Sequence, residues 1–170
     1  VTRLARGKAR SEDAAAILRE IQCVEAAGGQ EVVLTGVNLG AWGTDLHSKR
    51  TLAELLRLIL AETSIRRIRL SSLENWDLDL DFAALWENRR LMPHFHLPLQ
   101  SGSPSVLKRM ARRTKPESFL ALMDEARRVR DGFSITTDII VGFPGETADE
   151  FKETLDFVDR ARFSGGHVFP

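Results

Sequence analysis

The chain has 170 residues, 43% hydrophobic and 28% charged, with 24 basic and 24 acidic side chains. That composition belongs to a globular domain long enough to bury a core, and the balanced charge gives no global basic excess of the kind that announces nucleic acid. No apolar run reaches bilayer length, no signal sequence opens the chain, and the single cysteine, Cys23, excludes a disulfide framework and suits a cytoplasmic setting.

Residues 1–10 read as a basic loop without an initiator methionine. Ser11 is then expected to cap a helix that has Glu12 and Asp13 in its first turn, where carboxylates meet the positive end of the helix dipole. Its apolar face is Ala14, Ile17, Leu18, Ile21 and Val24, Gly28-Gly29 ends it, and Cys23 falls inside the pattern as a structural thiol. Residues 31–35 form a β-branched strand, which opens into the glycine-rich loop GVNLGAWG at 36–43. Thr51 and Glu54 make a capping box for a helix with Leu52, Leu55, Leu56 and Ile59 inward.

Residues 65–71 are the next strand and end in Ser71-Ser72-Leu73-Glu74. Residues 79–88 read as helix, with Phe82, Leu85 and Trp86 inward. The stretch HFHLPLQSGSPSVLKRM at 94–110 is the most informative in the chain. Phe95, Leu97 and Leu99 alternate with His94, His96 and Pro98, as in a strand. The chain then breaks at residues 100–103, where Ser103-Pro104 is a helix start with a hydroxyl cap and Pro at the first position. Val106, Leu107 and Met110 follow at helical spacing.

Thr114 and Glu117 read as a second capping box, leading a helix lined by Phe119, Leu122, Met123, Ala126 and Val129. The strand SITTDIIV at 134–141 carries Asp138 in its interior and runs into the loop GFPGE. Thr147 and Glu150 form a third capping box, for a helix carrying Phe151, Leu155 and Val158. Residues 167–170 begin a fifth strand, and the two ends together mark the chain as a piece of a longer protein.

Alternating strands and helices imply a parallel sheet with helices outside. No G-x-G-x-x-G follows the first strand and no G-x-x-x-x-G-K-[ST] occurs, so neither a nicotinamide nor a nucleoside triphosphate is indicated. The expectation is an α/β fold, a partial parallel (β/α) barrel of about five strands spanning residues 1–170 as one domain.

The loops EVVLTGVNLGAWG (31–43), RIRLSSLE (67–74), HFHLPLQSGSPSVLKRM (94–110), TTDIIVGFPGET (136–147) and HVFP (167–170) together resemble the radical S-adenosylmethionine methylthiotransferases. LPLQSGS and TDIIVGFPGET are the most specific parts, and TGVNLGAWG is most similar to the branch acting on N6-threonylcarbamoyladenosine in tRNA. The resemblance implies an enzyme that adds a methylthio group to C2 of that adenine by radical chemistry, in the cytoplasm, with S-adenosylmethionine and tRNA as partners. It also implies a [4Fe–4S] cluster held by a Cys-x3-Cys-x2-Cys loop that would end just before Val1. The chain itself lacks that motif, so it is expected to bind no cluster and to be inactive alone, with amino-terminal and RNA-binding domains supplied by the parent protein.

By the same resemblance, Gly36 and Asn38 meet an amino group, and Gln100 and Ser101 bond the ribose or the carboxylate of S-adenosylmethionine. Val141, Gly142 and Phe143 pack on adenine, though Phe143 suits the core equally. Glu74, just after a strand, suits ribose hydroxyls, an ammonium or a solvated loop. Strand alternation points Asp138 into the barrel, as a functional carboxylate or one paired with an arginine. Lys108, Arg109, Arg112 and Arg113 cluster on one helix, which suits RNA phosphates, a carboxylate at the barrel mouth, or a plain solvated face. His94 and His96 share a strand face at a spacing that can ligate metal, though satisfied structural histidines are the simpler reading. Other branches of the family, a metal-dependent hydrolase using His94, His96 and Asp138, and a non-catalytic scaffold stand as alternatives. No catalytic residue and no oligomeric state is assigned.

Overall fold

The computed structural model describes residues 7, 10–75, 78 and 80–170. Most of the basic opening segment and Asp79, the expected start of the third helix, lie outside those residues. The elements run α1 (Ala14–Ala26), β1 (Glu31–Leu34), a short 3-10 turn (Leu39–Ala41), α2 (Leu52–Glu62), β2 (Arg67–Leu70) and α3 (Leu80–Ala84), which passes directly into a 3-10 turn at Leu85–Glu87. There follow β3 (His94–His96), α4 (Pro104–Arg109), α5 (Pro116–Val129), β4 (Ser134–Ile140), α6 (Ala148–Ala161) and β5 (Gly165–Phe169).

Every strand pairing is parallel. β1 pairs with β2, and β3, β4 and β5 form a second sheet in that order. The two sheets are joined by a parallel bridge between Ile68 and Leu91, with Met92 N–H donating to Ile68 O at 2.9 Å, and by Leu73 N–H donating to His96 O at 2.9 Å. Spatial order therefore follows chain order, with no reversal. A doubly wound sheet changes direction at a switch point, whereas sequential order is the winding of a barrel.

The alternation of each strand sorts its two faces. In β4, Ile135, Thr137 and Ile139 are buried, whereas Ser134, Thr136, Asp138 and Ile140 are half-buried. The buried face meets the helices at Leu55, Leu56 and Ile59 of α2 and at Phe119, Leu122, Met123 and Ala126 of α5. At its centre Trp86 lies edge-on to Phe95 with ring centroids 4.6 Å apart, and Phe133 sits 4.6 Å from Phe95 on another side. Trp86 Nε1–H reaches Met92 O at 2.7 Å, so the indole carries no unmet donor into the core.

Two of the three expected capping boxes form, at Thr51/Glu54 and Thr147/Glu150. The third does not: α5 starts at Pro116 with Lys115 as cap, because proline fixes the first helical position two residues past Thr114. Ser11 likewise leaves the capping of α1 to Asp13, whose carboxylate accepts from Ala15 N–H, while the Ser11 hydroxyl bonds Asp45. Ser103 holds the cap position of α4, but its hydroxyl turns to Glu153 instead of the helix backbone. Cys23 is exposed rather than packed.

The largest departure is α6. Its buried residues are Thr154, Phe157 and Ala161, while Phe151 and Leu155 stay 39% and 48% exposed. The face turned inward is that of Phe157 and Ala161, offset from the Phe151, Leu155 and Val158 series expected from the sequence. Among the described residues no helix is long and apolar enough to cross a membrane.

Candidate functional site

In a parallel βα barrel, loops leaving the carboxyl ends of the strands share one face. Four such loops carry the residues singled out above, and each is anchored by its own packing. After β1, Leu39 and Trp42 are buried and Trp42 Nε1–H donates to Glu12 O at 3.0 Å, which leaves Gly36 and Asn38 exposed above them. Asn38 makes no side-chain capping bond, so its amide remains available.

Glu74 follows β2. One of its carboxylate oxygens accepts from Arg112 at 2.9 Å, while the other is buried with no partner among the described residues. Ser71 Oγ, at the end of the same strand, is also buried and unpartnered. Buried acceptors are seldom left unmet, so this corner has room for a donor.

The segment after β3 contains a bulge. His96 pairs with Thr136, but Gln100 pairs with Ile139, so the offset falls by one residue between the two positions. Leu99 N–H donates to the Thr137 hydroxyl at 3.0 Å, and that hydroxyl donates to Leu97 O at 2.8 Å, filling the gap in the ladder. The ladder resumes when Gln100 N–H donates to Asp138 O and Ile140 N–H to Gln100 O, both at 2.8 Å. Gln100 sits there at φ 69, the left-handed region that side chains rarely occupy. Bulges of this kind re-aim side chains beside functional sites.

Ser101 does not reach the face. It is fully buried, its hydroxyl lies 3.1 Å from that of Thr154, and it accepts from Ser103 N–H at 3.1 Å. Its assignment as a ligand contact is therefore corrected to a support beneath Gln100.

After β4, Val141 N–H donates to Phe169 O at 2.8 Å, while the Gly142 and Phe143 N–H groups both donate to one Glu146 oxygen, at 2.6 and 3.3 Å. The other Glu146 oxygen is buried without a partner. Gly142 has φ 71 and nothing within 4 Å of where a Cβ would stand, so the space above this turn is open.

Inside these loops the strand face opposite the helices carries a run of polar contacts. Thr136 Oγ1 lies 3.0 Å from His94 Nε2 and 2.9 Å from His96 Nδ1, and Asp138 lies 3.2 Å from His96 Nε2 and 3.3 Å from His167 Nδ1. A carboxylate only accepts, so both imidazole nitrogens facing Asp138 donate. Thr136 Oγ1, with one proton to give, bridges His94 Nε2 and His96 Nδ1. Burial first, then the nearby His96 and Arg69, push the His94 imidazole below its ordinary value. Asp138 thus faces the barrel interior as expected, and among the described residues no group of three or more His, Cys, Asp or Glu is arranged to hold a metal ion.

The basic helix is only partly a free surface. Arg109 grips Glu150 through two nitrogens, each at 2.8 Å, and reaches Gly145 O at 3.2 Å. That fork, with the Ser105 hydroxyl and Thr147 N–H, holds the Glu150 carboxyl well below the usual carboxylate range. The four basic residues do not share one helix: α4 ends at Arg109, and Arg112 and Arg113 follow the turn at Met110 and Ala111. There Arg112 holds Glu74, the carboxylate alternative among those expected. Arg113 is exposed. Two cavities, of about 480 and 810 Å³, lie away from the candidate residues, one beside Trp42, Arg50 and Phe82 and the other beside Arg127, Phe133 and Arg162.

Sequence reading missed Thr136, Thr137, His167, Glu146 and Thr154. Thr136 and His167 had a usable signal, since Thr136 shares a strand face with Asp138 and His167 stands opposite Asp138 in a parallel register.

The residues present suit part of the family's cofactor set. An unpartnered Glu74 oxygen, an unpaired Glu146 oxygen and open space over Gly142 fit a polar, flat ligand such as adenosine. A [4Fe–4S] cluster does not fit, because it requires several thiolates and the chain offers only Cys23, exposed on α1.

The family model of the radical SAM superfamily matches residues 2–158. The threonylcarbamoyladenosine tRNA methylthiotransferase MtaB of Thermotoga maritima is 45% identical over 98% of this chain and 38% of its own length. A tRNA-2-methylthio-N(6)-dimethylallyladenosine synthase of Acidothermus cellulolyticus is 44% identical over 96% of this chain and 33% of its own length. The chain therefore spans little more than a third of the length of these relatives. Among solved structures, Escherichia coli coproporphyrinogen III oxidase HemN aligns with TM-score 0.63 at 17% identity, covering 91% of this chain and 36% of that one. The radical S-adenosylmethionine methyltransferase TsrM of Kitasatospora setae aligns with TM-score 0.69 at 15% identity, covering 93% and 31%. These two share the fold. Sequential parallel winding, polar loops gathered at the strand ends and a family match over most of its length agree: the chain belongs to the radical SAM superfamily.

Proposed function

We propose that the chain is the central part of the catalytic barrel of a tRNA methylthiotransferase acting on N6-threonylcarbamoyladenosine. The observation that carries this reading is the 45% identity, over 98% of the chain, to the Thermotoga maritima relative named for that reaction. The loop TGVNLGAWG at 35–43 supports the same branch. The dimethylallyladenosine branch is the second reading, favoured by the 44% identity of the Acidothermus relative.

S-adenosylmethionine, when bound, would supply the carbon chemistry, hydrogen abstraction and the methyl group, as cofactors do while the protein orients them. The chain's own part is to hold the adenosine end. The Gln100 amide bonds the ribose and the second oxygen of Glu74 accepts from a ribose hydroxyl. Val141, Gly142 and Phe143 flank the base, and Gly36 and Asn38 meet an amino group. Arg113 faces tRNA phosphate. A [4Fe–4S] cluster belongs to parts of the parent protein beyond this chain, as does an RNA-binding domain, and the parent works in the cytoplasm where tRNA is modified.

The test is nucleoside analysis by mass spectrometry of tRNA from cells with and without the gene. Loss of 2-methylthio-N6-threonylcarbamoyladenosine is the expected result. Loss of the dimethylallyl counterpart instead would move the protein to the second branch, and no change in either would remove the reading.

A further inference from the structure

Resting on the reading that Gln100 contacts the adenosine of S-adenosylmethionine, we propose that Thr137 and Thr154 are positioning residues for Gln100, one clamping each side of its loop. Both threonines are 2% exposed. On the amino side, the Thr137 hydroxyl substitutes for the ladder partner that the bulge removes, taking Leu99 N–H at 3.0 Å and giving to Leu97 O at 2.8 Å. On the carboxyl side, the Thr154 hydroxyl accepts from Gly102 N–H at 3.1 Å and lies 3.1 Å from the Ser101 hydroxyl. Gln100 stands between them at φ 69. A non-glycine residue there persists only when its surroundings over-determine it.

The packing of α6 points the same way. A Cβ on Gly102 would stand 2.6 Å from Phe157 Cβ and 2.8 Å from Thr154 Cα, so this loop lies against the helix as closely as glycine permits. Ser103 and Ser105 continue the contact, bonding Glu153 and Glu150. The face of the helix that meets this loop buries Thr154 together with Phe157 and Ala161, so a polar contact is set within the packed stripe.

The experiment uses the intact protein that carries this chain, assayed for the KM of S-adenosylmethionine and of tRNA, with melting measured alongside. Thr154→Val and Thr137→Val keep shape and remove the hydroxyl. Each should raise the KM for S-adenosylmethionine about tenfold, since a small misplacement of a positioning group is enough to do so, and leave the KM for tRNA unchanged. Thr154→Ser, which keeps the hydroxyl, should restore it. Combining Thr154→Val with Gln100→Ala should be no worse than Gln100→Ala alone, because the threonine acts through the glutamine. Full additivity in that pair, or variants that lower melting temperature with KM intact, would overturn the proposal. If Gln100→Ala itself left the KM for S-adenosylmethionine unchanged, the reading of the site would fail instead, and the clamp would lose its purpose with it.

Discussion

Gln100 stands just past the bulge that follows β3, at φ 69 and on the half-buried side of the alternation that continues through it. Its neighbours do the packing: Leu97, Leu99 and Ser101 are all fully buried. Gln100→Ala should therefore cut turnover markedly and shift the melting temperature by only a few degrees. One neutral hydrogen bond to a ligand is worth about 0.5–1.5 kcal/mol, and misplacing a reacting group costs more. A large fall in melting temperature would return Gln100 to a structural part. Glu150 is the opposite case, a carboxylate that ties α4 to α6 through Arg109 and Ser105. Its folded pKa lies below the unfolded 4.5. The unfolded state therefore binds the proton more readily, and the contribution is present above that value and lost as pH falls below it. Thermal melts from pH 7 down to 3 should show Glu150→Gln less stable than the native chain near neutrality, with the gap narrowing in acid. Strand alternation points to Asp138 in the sequence, whereas Glu74 stands out by its place after a strand, and Gln100 and Ser101 by theirs and by the family resemblance. Ser101 in fact continues the buried series of Phe95, Leu97 and Leu99, and its polar side chain in a loop motif masks that periodicity.

At the level of single elements, α2 shows when periodicity is enough. Leu52, Leu55, Leu56 and Ile59 define one stripe and all four are buried, behind a capping box at Thr51 and Glu54. In α6 the capping box is just as legible, but of its apolar residues Phe157 and Ala161 are buried while Phe151 and Leu155 are exposed. Ser101 and Ser103 of the loop after β3 and Ser105 of α4 bond its Thr154, Glu153 and Glu150. Phe157→Ala should thus cost about 3–5 kcal/mol of stability, as a buried aromatic does. Leu155→Glu should change it by no more than about 0.5 kcal/mol, as expected of an exposed site. Denaturant titration of both variants checks this. A Leu155 substitution as damaging as the Phe157 one would mean that α6 buries the face its sequence suggests. The failed box at Thr114 teaches a similar lesson, since Pro116 outranks a hydroxyl in choosing the first helical turn.

For the molecule as a whole, strand and helix alternation was enough to expect a parallel barrel, and the sequential order of β1 to β5 agrees. What composition left hidden is the polar lining. A balanced net charge says nothing about Glu31, Arg67 and Arg69 gathered on one strand pair, with Arg67 and Arg69 2.7 and 3.0 Å from Glu31, nor about the His94 to His167 run beside it. The thiol count is legible directly. Anaerobic reconstitution of this chain with iron and sulfide should give no four-iron chromophore, and a stable one at one cluster per chain would contradict the assignment of cluster ligands to other parts of the parent protein. The central claim is that the carboxyl ends of the strands hold S-adenosylmethionine. Hydrogen exchange of the intact protein with and without saturating S-adenosylmethionine tests it most directly. The account expects slowed exchange in the segments around Gly36, Glu74, Gln100 and Gly142 and no change around Arg127 and Arg162 at the other end of the strands. Protection confined to that other end, with the four loops unaltered, would contradict it.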